Sequence, residues 1–220
     1  MRKIKTVLIF LLLTGVLYAQ QPPFYDEVQQ IKKKDSLRHP KEVKSIFFIG
    51  SSSFTLWNDV QDYFPNHRIT NYAFGGATLL DLIRYMDDII PQYHTKQIVI
   101  YCGENDLASS DTISSKIVLQ RFISLFTKIR KKFPYVPVVY VSMKPSPSRE
   151  LLLPKMIKGN ALIKKYLATK KRTAYVDVYK EMIDDEGKPR SELFLDDNLH
   201  MNKTGYAIWQ KLIEPHLLKE

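Results

Sequence analysis

The chain has 220 residues, of which 45% are hydrophobic, a formal net charge of +10 and a single cysteine. This length suits one domain with a substantial core, and one cysteine excludes an internal disulfide. The five histidines stand in no HExxH or CxxC context, so the sequence indicates no metal site.

The first 19 residues have the layout of a secretory signal peptide. Arg2, Lys3 and Lys5 precede an uncharged apolar run of 13 residues, 6–18, which ends at the small residue Ala19. A membrane-spanning helix needs roughly 20 apolar residues, so this run is short for a span. We expect cleavage after Ala19, export to the periplasm or the medium, and no stable membrane insertion afterwards. An uncleaved anchor is the alternative.

Cleavage would leave 201 of the 220 residues with a net charge of +7. Several of the remaining cations cluster in residues 32–34, 128–132 and 170–172. Runs of this kind can bind nucleic acid, but they are more often solvated helix faces and helix ends. Because no zinc-finger, RRM or recognition-helix pattern accompanies them, we expect no nucleic-acid partner.

Residues 20–44 are predicted to form an N-terminal helical extension, and residues 45–220 a single domain. Phe24, Val28 and Ile31 have the spacing of a short amphipathic helix. Five later segments are rich in β-branched and aromatic residues and predict strands over 45–50, 69–74, 97–103, 136–143 and 173–178.

Helical periodicity separates these strands. It predicts helices over 56–64, 78–90, 151–170 and 204–218, and a longer helix from residue 112 with Asp111 as its cap. Strands that alternate with helices predict a three-layer α/β/α sandwich with a mostly parallel five-stranded sheet, as in flavodoxin-like folds.

Polar or glycine-rich loops follow three of the predicted strands. They are residues 50–53 (GSSS), 75–78 (GGAT) and 103–106 (GEND), and a fourth polar stretch, DDNLHMNKTGY, precedes the last helix. Loops after parallel strands gather at one edge of the sheet, where ligands bind in open α/β folds. A hydroxyl, an imidazole, a carboxylate and donors for an oxyanion are the groups that acyl transfer to water requires.

The ordered set of motifs resembles the SGNH hydrolases, also called GDSL-type esterases and lipases. That family has G-D-S after the first strand, a glycine after the second, G-x-N-D after the third and D-x-x-H near the C-terminus. The resemblance covers roughly residues 45–212. One departure is that Ser51 stands where the G-D-S pattern has aspartate, which could change how the nucleophile loop is braced.

The resemblance implies a role for each matching residue. Ser52 would be the nucleophile, His200 the base and Asp197 the acid of a catalytic triad. The oxyanion hole would consist of the backbone N–H groups of Ser52 and Gly76 and the side-chain amide of Asn105. This chemistry requires no metal or organic cofactor.

Some residue assignments compete with these. Ser51 and Ser53 are alternative nucleophiles, although loop hydroxyls usually bond to nearby backbone. Asp196 competes with Asp197, which has the three-residue spacing to His200. Candidates for contact with the substrate are Glu104, Lys144 and Arg149. Structural roles are expected for Asp106, which would brace its loop, for Cys102 as a small buried residue, and for His39, His67, His94 and His216.

The sequence thus predicts an exported serine esterase that acts on short acyl or acetyl oxygen esters of a small molecule or glycan. Export favours O-acetyl groups of polysaccharide or peptidoglycan as substrates. The alternative is a catalytically silent glycan- or protein-binding module on the same fold. An α/β-hydrolase is disfavoured because Phe54 breaks the G-x-S-x-G elbow. A nucleotide-binding protein ranks last because no full phosphate-binding fingerprint is present.

Overall fold

The computed structural model describes residues 21–37, 44–91 and 95–219. The predicted signal peptide, His39 and His94 lie outside these residues. The helices are α1 (Tyr25–Ser36), α2 (Ser52–Thr55), α3 (Val60–Tyr63), α4 (Leu79–Ile89), α5 (Glu104–Ala108), α6 (Ser115–Lys132), α7 (Leu153–Ala168) and α8 (Lys203–Ile213). The strands are β1 (Ser45–Gly50), β2 (Ile69–Asn71), β3 (Thr95–Tyr101), β4 (Val138–Val141) and β5 (Thr173–Val176).

The five strands form one parallel sheet in the order β2-β1-β3-β4-β5. This order confirms the predicted α/β sandwich and is that of flavodoxin-like folds. The chain leaves β1 and β3 toward opposite sides of the sheet, so a crevice opens between their carboxyl ends. Any site built from the loops after these two strands lies in that crevice.

Alternate residues of each strand belong to separate hydrophobic cores. In β1, Phe47 and Ile49 pack with residues of α1, α4, α6 and α7. Ile46 and Phe48 pack on the other face with residues of α3 and α8, among them Trp209. Because successive side chains of a strand point to opposite faces, a strand covered by helices on both sides is a nearly continuous apolar run. In β1, which is fully buried, that run is IFFI at residues 46–49.

Strand β2 is shorter than the predicted segment 69–74. It ends at Asn71, whose side-chain amide donates to Phe54 O at 2.6 Å and accepts from Ala73 N at 3.2 Å. These bonds turn the chain out of the strand, although Tyr72 N and Phe74 N still donate to β1 carbonyls. Strands β3, β4 and β5 also differ from their predicted bounds by a few residues at their ends.

The helix predicted over 56–64 is wrong as a single helix. Two short helices, α2 and α3, flank a turn in which Trp57 N donates to Phe54 O and Val60 N to Trp57 O. The apolar spacing of this segment instead reflects burial of Trp57, Val60 and Phe64 in one core. Apolar spacing indicates which residues are buried. A turn can bury residues at helical spacing as well, so the pattern did not distinguish a turn from a helix.

Asp111 is not the cap of the long helix. Helix α6 begins at Ser115, and Ser114 caps it by accepting a hydrogen bond from Ile117 N at 3.3 Å. The preceding residues form a turn in which Ile113 N donates to Ser110 O. Serine is as good an N-cap as aspartate, so composition could not choose between the two positions.

The N-terminal helix α1 packs against the domain. Val28 and Ile31 are buried in the core that also contains α4, and Lys32 pairs with Asp88 of α4 at 2.8 Å. The division of the chain at residues 19 and 44 stays a prediction. In the part of the chain that the structure describes, no helix is long and apolar enough to cross a membrane.

Candidate active site

The end of β1 delivers three serines to the crevice in different environments. Gly50 has φ of 146°, a conformation open to glycine, and Ser51 N donates to Tyr101 O of the adjacent strand at 3.0 Å. The chain then enters helix α2 at Ser52. Ser51 and Ser53 are 4% and 2% exposed, whereas Ser52 is partly exposed. Of the three serines, Ser52 is therefore the one exposed enough to contact a ligand.

Asp197 and His200 are held together in one tight loop before α8. An antiparallel bridge between the buried residues Phe194 and Met201 closes the loop, and Leu195 N donates to His200 O at 2.8 Å. His200 Nδ1 lies 2.6 Å from Asp197 Oδ2. Asp197 Oδ1 also accepts the backbone N–H groups of Leu199 and His200, each at 2.9 Å.

These contacts keep Asp197 ionised. The hydrogen bond from the His200 backbone N–H, with further bonds from Leu199 N and the His200 ring, lowers the pKa of Asp197 from 3.8 to about 2. An ionised carboxylate only accepts hydrogen bonds, so His200 Nδ1 carries the proton. A neutral imidazole then has its lone pair on Nε2, the atom that a general base uses.

Gly76 lies in the loop before α4, and Asn105 lies in the first turn of the short helix α5 that follows β3. Asn105 Nδ2 donates to Ser51 Oγ at 2.6 Å and to Ala77 O at 3.1 Å. Within the described chain, Gly76 N–H donates to no protein acceptor. An N–H group without a protein partner, beside a hydroxyl, can bind a ligand oxygen.

The predicted nucleophile, base and oxyanion residues meet at one cleft of about 390 Å³. Its lining consists of Ser52, Thr55, Leu56, Gly75, Gly76, Asn105, Arg149, Leu199 and His200. No hydrogen bond joins Ser52 Oγ and His200 among the contacts of these described residues. Such bonds are often long in ligand-free enzymes and shorten when the substrate binds.

Of the three residues predicted to contact substrate, Arg149 alone lines the cleft. Glu104 and Lys144 lie beneath it, with side chains 6% and 1% exposed. Arg149 bonds to Glu104 Oε1 and to Asn105 Oδ1, both at 2.8 Å. Lys144 Nζ is 3.2 Å from Glu104 Oε2, which also accepts from the Tyr101 hydroxyl.

The environment of this buried cluster controls its ionisation. Burial alone would raise the pKa of Glu104, but attraction to Lys144 and Arg149 outweighs it and lowers that pKa. Burial lowers the pKa of Lys144 despite its attraction to Glu104. Burial raises the pKa of the Tyr101 hydroxyl, which therefore stays protonated and donates to Glu104.

The remaining candidates lie away from the cleft lining. Asp106 of α5 is fully buried, accepts from Leu79 N and pairs with Arg121 at 2.7 Å, so it ties α5 to α4 and α6. Cys102 is buried, which raises its pKa. Asp196 is exposed. His67 bonds to Leu218 O, and His216 is exposed. Among the described residues, no group of three or more His, Cys, Asp or Glu could hold a metal ion.

Two apolar walls of the cleft were missed by the sequence reasoning. Leu56 and Leu199 line it beside Ser52 and His200 respectively. Leu56 is 45% exposed; its place four residues after Ser52, at the start of the helix predicted over 56–64, was the available signal.

Comparison with known proteins identifies the family. The profile of the GDSL-like Lipase/Acylhydrolase family matches residues 50–208. The chain therefore belongs to this family, which confirms the predicted resemblance and supports ester hydrolysis as its activity. A comparison with curated proteins gave no significant match.

Solved structures share the fold at low sequence identity. A Streptococcus pneumonia protein described provisionally as a platelet activating factor has a TM-score of 0.75 and 21% identity, over 88% of this chain and 94% of its own. A Bacteroides fragilis protein described provisionally as an acylhydrolase has a TM-score of 0.75 and 19% identity, over 87% of this chain and 96% of its own. A GDSL-like lipase from Bacteroides thetaiotaomicron has a TM-score of 0.72 and 20% identity, over 88% of this chain and 97% of its own. Each therefore supports the fold alone.

Proposed function

We propose that the protein is a serine esterase that hydrolyses short-chain carboxylic esters through a Ser52–His200–Asp197 triad. The observation that carries this proposal is the cleft itself, which brings the partly exposed Ser52 and the Asp197-bound imidazole of His200 together at one rim. Ser51 and Ser53 are buried and less suited to attack a substrate.

In the proposed mechanism, Ser52 Oγ attacks the ester carbonyl carbon while its proton passes to His200 Nε2. Asp197 stabilises the imidazolium that forms. The proton then moves from His200 to the leaving alkoxide, and the acyl group stays on Ser52. Water, deprotonated by His200, attacks this acyl-enzyme, and the carboxylic acid leaves as Ser52 recovers its proton.

The developing oxyanion is proposed to bind the N–H groups of Ser52 and Gly76 and the amide of Asn105. Loss of one oxyanion donor commonly lowers kcat by about 10²- to 10³-fold. We expect a loss of this size for Asn105→Ala, measured as kcat on p-nitrophenyl acetate. A loss below about threefold would remove Asn105 from the oxyanion hole.

The cleft supports a short acyl group. Its volume of about 390 Å³ is near the lower end of ligand pockets, roughly 300–1,000 Å³, and must hold part of the alcohol as well. Leu56 and Leu199 supply apolar contacts for a small acyl chain. We therefore propose acetyl esters as preferred substrates, with O-acetylated polysaccharide or peptidoglycan as the natural source.

The direct test compares p-nitrophenyl acetate, butyrate and octanoate as substrates of purified residues 20–220. We expect turnover to fall with chain length, Ser52→Ala to be inactive, and the matched variant Ser53→Ala to remain active. Release of acetate from O-acetylated glycans would then test the natural substrate. Faster hydrolysis of octanoate than of acetate would contradict the short-chain proposal.

Export is part of the proposal and rests on the N-terminal sequence. The cationic start, the 13 apolar residues and Ala19 support a cleaved signal peptide. N-terminal sequencing of protein recovered from the envelope or the medium should begin at Gln20. Recovery of the intact N-terminus in the cytosol would contradict export.

One observation favours a second function, a catalytically silent glycan- or protein-binding module. It is the missing hydrogen bond between Ser52 and His200 in the described site. The same ester assay separates the two functions. A folded wild-type protein that hydrolyses none of the three esters and releases no acetate from glycans, but binds an O-acetylated glycan, would establish the module instead.

A further inference from the structure

The side-chain amide of Asn105 has a fixed orientation in the cleft. Its Oδ1 accepts from Arg149 Nη2 at 2.8 Å, and its Nδ2 donates to Ala77 O at 3.1 Å. Arginine can only donate and a carbonyl oxygen can only accept, so a flipped amide would lose both bonds. Arg149 therefore determines which end of Asn105 faces the cleft residues.

Both N–H groups of Asn105 already have acceptors in the ligand-free protein. One binds Ala77 O and the other binds Ser51 Oγ at 2.6 Å. The Ser51 hydroxyl is a neutral acceptor, whereas an oxyanion is charged and forms hydrogen bonds about twice as strong. A developing oxyanion can thus compete for this N–H, provided that the amide stays in place during the exchange.

Arg149 is itself held from beneath. Glu104 accepts from Arg149 Nη1 at 2.8 Å, and Lys144 and the Tyr101 hydroxyl hold the other oxygen of Glu104. With side chains 6% and 1% exposed, Glu104 and Lys144 are sealed from solvent. We call Lys144, Glu104, Arg149 and Asn105 the Arg149 network.

Arg149 is the cation of the network that contacts Asn105 directly, and it shares the buried carboxylate of Glu104 with Lys144. The neighbouring Asp106 is paired with Arg121 instead. A charge in a poorly hydrated site acts strongly on nearby groups, because little water screens it. A cation at Oδ1 also polarises the amide and makes its N–H groups stronger donors.

We propose that Arg149, held by Glu104 and Lys144, is a positioning residue that orients and polarises the Asn105 amide as an oxyanion donor. This inference rests on the proposed esterase function. In this proposal the buried side chains of Glu104 and Lys144 act by holding Arg149 in place, and neither contacts the substrate. It also explains why Arg149 lies at the cleft although both of its terminal nitrogens bond within the protein.

The test is a double-mutant cycle of Arg149→Met and Asn105→Ala, with kcat and KM measured on p-nitrophenyl acetate. We expect Arg149→Met to lower kcat by about 10- to 100-fold, as misplacement of a catalytic group does, with little change in KM. In the Asn105→Ala background the same substitution should change kcat by less than about twofold, because its target is gone.

Control variants separate positioning from folding. Arg190→Met removes a comparable arginine that binds Glu192 Oε1 and Glu181 O outside the cleft lining, and it should leave kcat unchanged. Arg149→Lys keeps the charge without the two-pronged contact, so we expect it to recover only part of kcat. Urea unfolding of each variant identifies any that fail to fold.

Three results would overturn the inference while leaving esterase activity intact. They are an unchanged kcat in folded Arg149→Met, an equal loss in the Asn105→Ala background, and an effect confined to KM. The last would make Arg149 a substrate-binding residue. If the wild type hydrolyses no ester, or Ser52→Ala stays active, the proposed function fails instead.

A readout without catalysis tests the same contact. The side-chain amide protons of Asn105 can be followed in ¹⁵N-edited NMR spectra of the wild type and of Arg149→Met. We expect slow exchange with water in the wild type and markedly faster exchange in the variant. Equal exchange rates would show that Arg149 does not hold the amide.

Discussion

Gly50 is the glycine at which substitution by alanine should disturb the candidate site most. It ends β1 one residue before Ser51, with φ of 146°. A Cβ placed there would lie 1.9 Å from Tyr101 O, the oxygen that accepts the Ser51 N–H. Ordinary contact begins at 3.4 Å, so β1 and β3 would have to separate by about 1.5 Å.

Two costs add in Gly50→Ala. Forcing extra volume into a packed site costs about 1–3 kcal/mol, and the backbone conformation, almost exclusive to glycine, costs of order 1–3 kcal/mol for another residue. We expect the free energy of unfolding to fall by about 2–6 kcal/mol, the sum of the two costs. That is a large part of the roughly 5–15 kcal/mol that stabilises a typical domain.

Urea unfolding of three glycine variants measures this effect. Gly187→Ala is the matched control, because Gly187 has φ of 78° and open space around an added Cβ, so it should lose only about 1–2 kcal/mol. Gly75→Ala, with ordinary φ and open space, should stay within about 0.5 kcal/mol of the wild type. A Gly50→Ala protein as stable as Gly187→Ala would refute the steric reasoning.

Two further predictions concern carboxylates near the cleft. The folded-state pKa of Asp197 is about 2, below its ordinary 3.8, so its stabilising contribution is present above about pH 4 and is lost as the pH falls toward 2. Asp197→Asn should therefore unfold at a lower temperature than the wild type, and the difference in Tm should narrow as the pH falls over this range. A difference in Tm that does not depend on pH would contradict the lowered pKa of Asp197. Asp106→Ala removes the acceptor of Leu79 N and leaves Arg121 unpaired, so it should cost about 2–4 kcal/mol in urea unfolding. Asp106→Asn keeps an acceptor for Leu79 N and should cost less; equal losses would show that the ion pair alone matters.

The sheet could be predicted because its strands are buried on both faces. Such strands appear as apolar runs, and SIFFIG defined β1 at both of its ends. Loop motifs located the crevice for a similar reason, since parallel strands all bring their carboxyl ends to one edge. The short helices were harder. A four-residue helix such as α2 contains too few residues for periodicity to appear.

The contacts beneath the cleft could not be predicted from sequence. Lys144 and Glu104 are 40 residues apart, and Arg149 and Asn105 are 44 apart. Only the folded sheet brings the ends of β3 and β4 together. Charged residues are also expected at the surface, and Lys144 and Glu104, in loops after strands, were candidates for contact with substrate. The structure buries both, and the bonds among them account for that burial.

Covalent labelling tests most directly whether Ser52 is the nucleophile. A fluorophosphonate probe reacts with an activated serine, and mass spectrometry of the digested protein identifies the modified residue. We expect one modification, at Ser52, that is abolished in His200→Ala and retained in Ser53→Ala. Modification at Ser51 or Ser53, or an unlabelled protein that still hydrolyses esters, would contradict it.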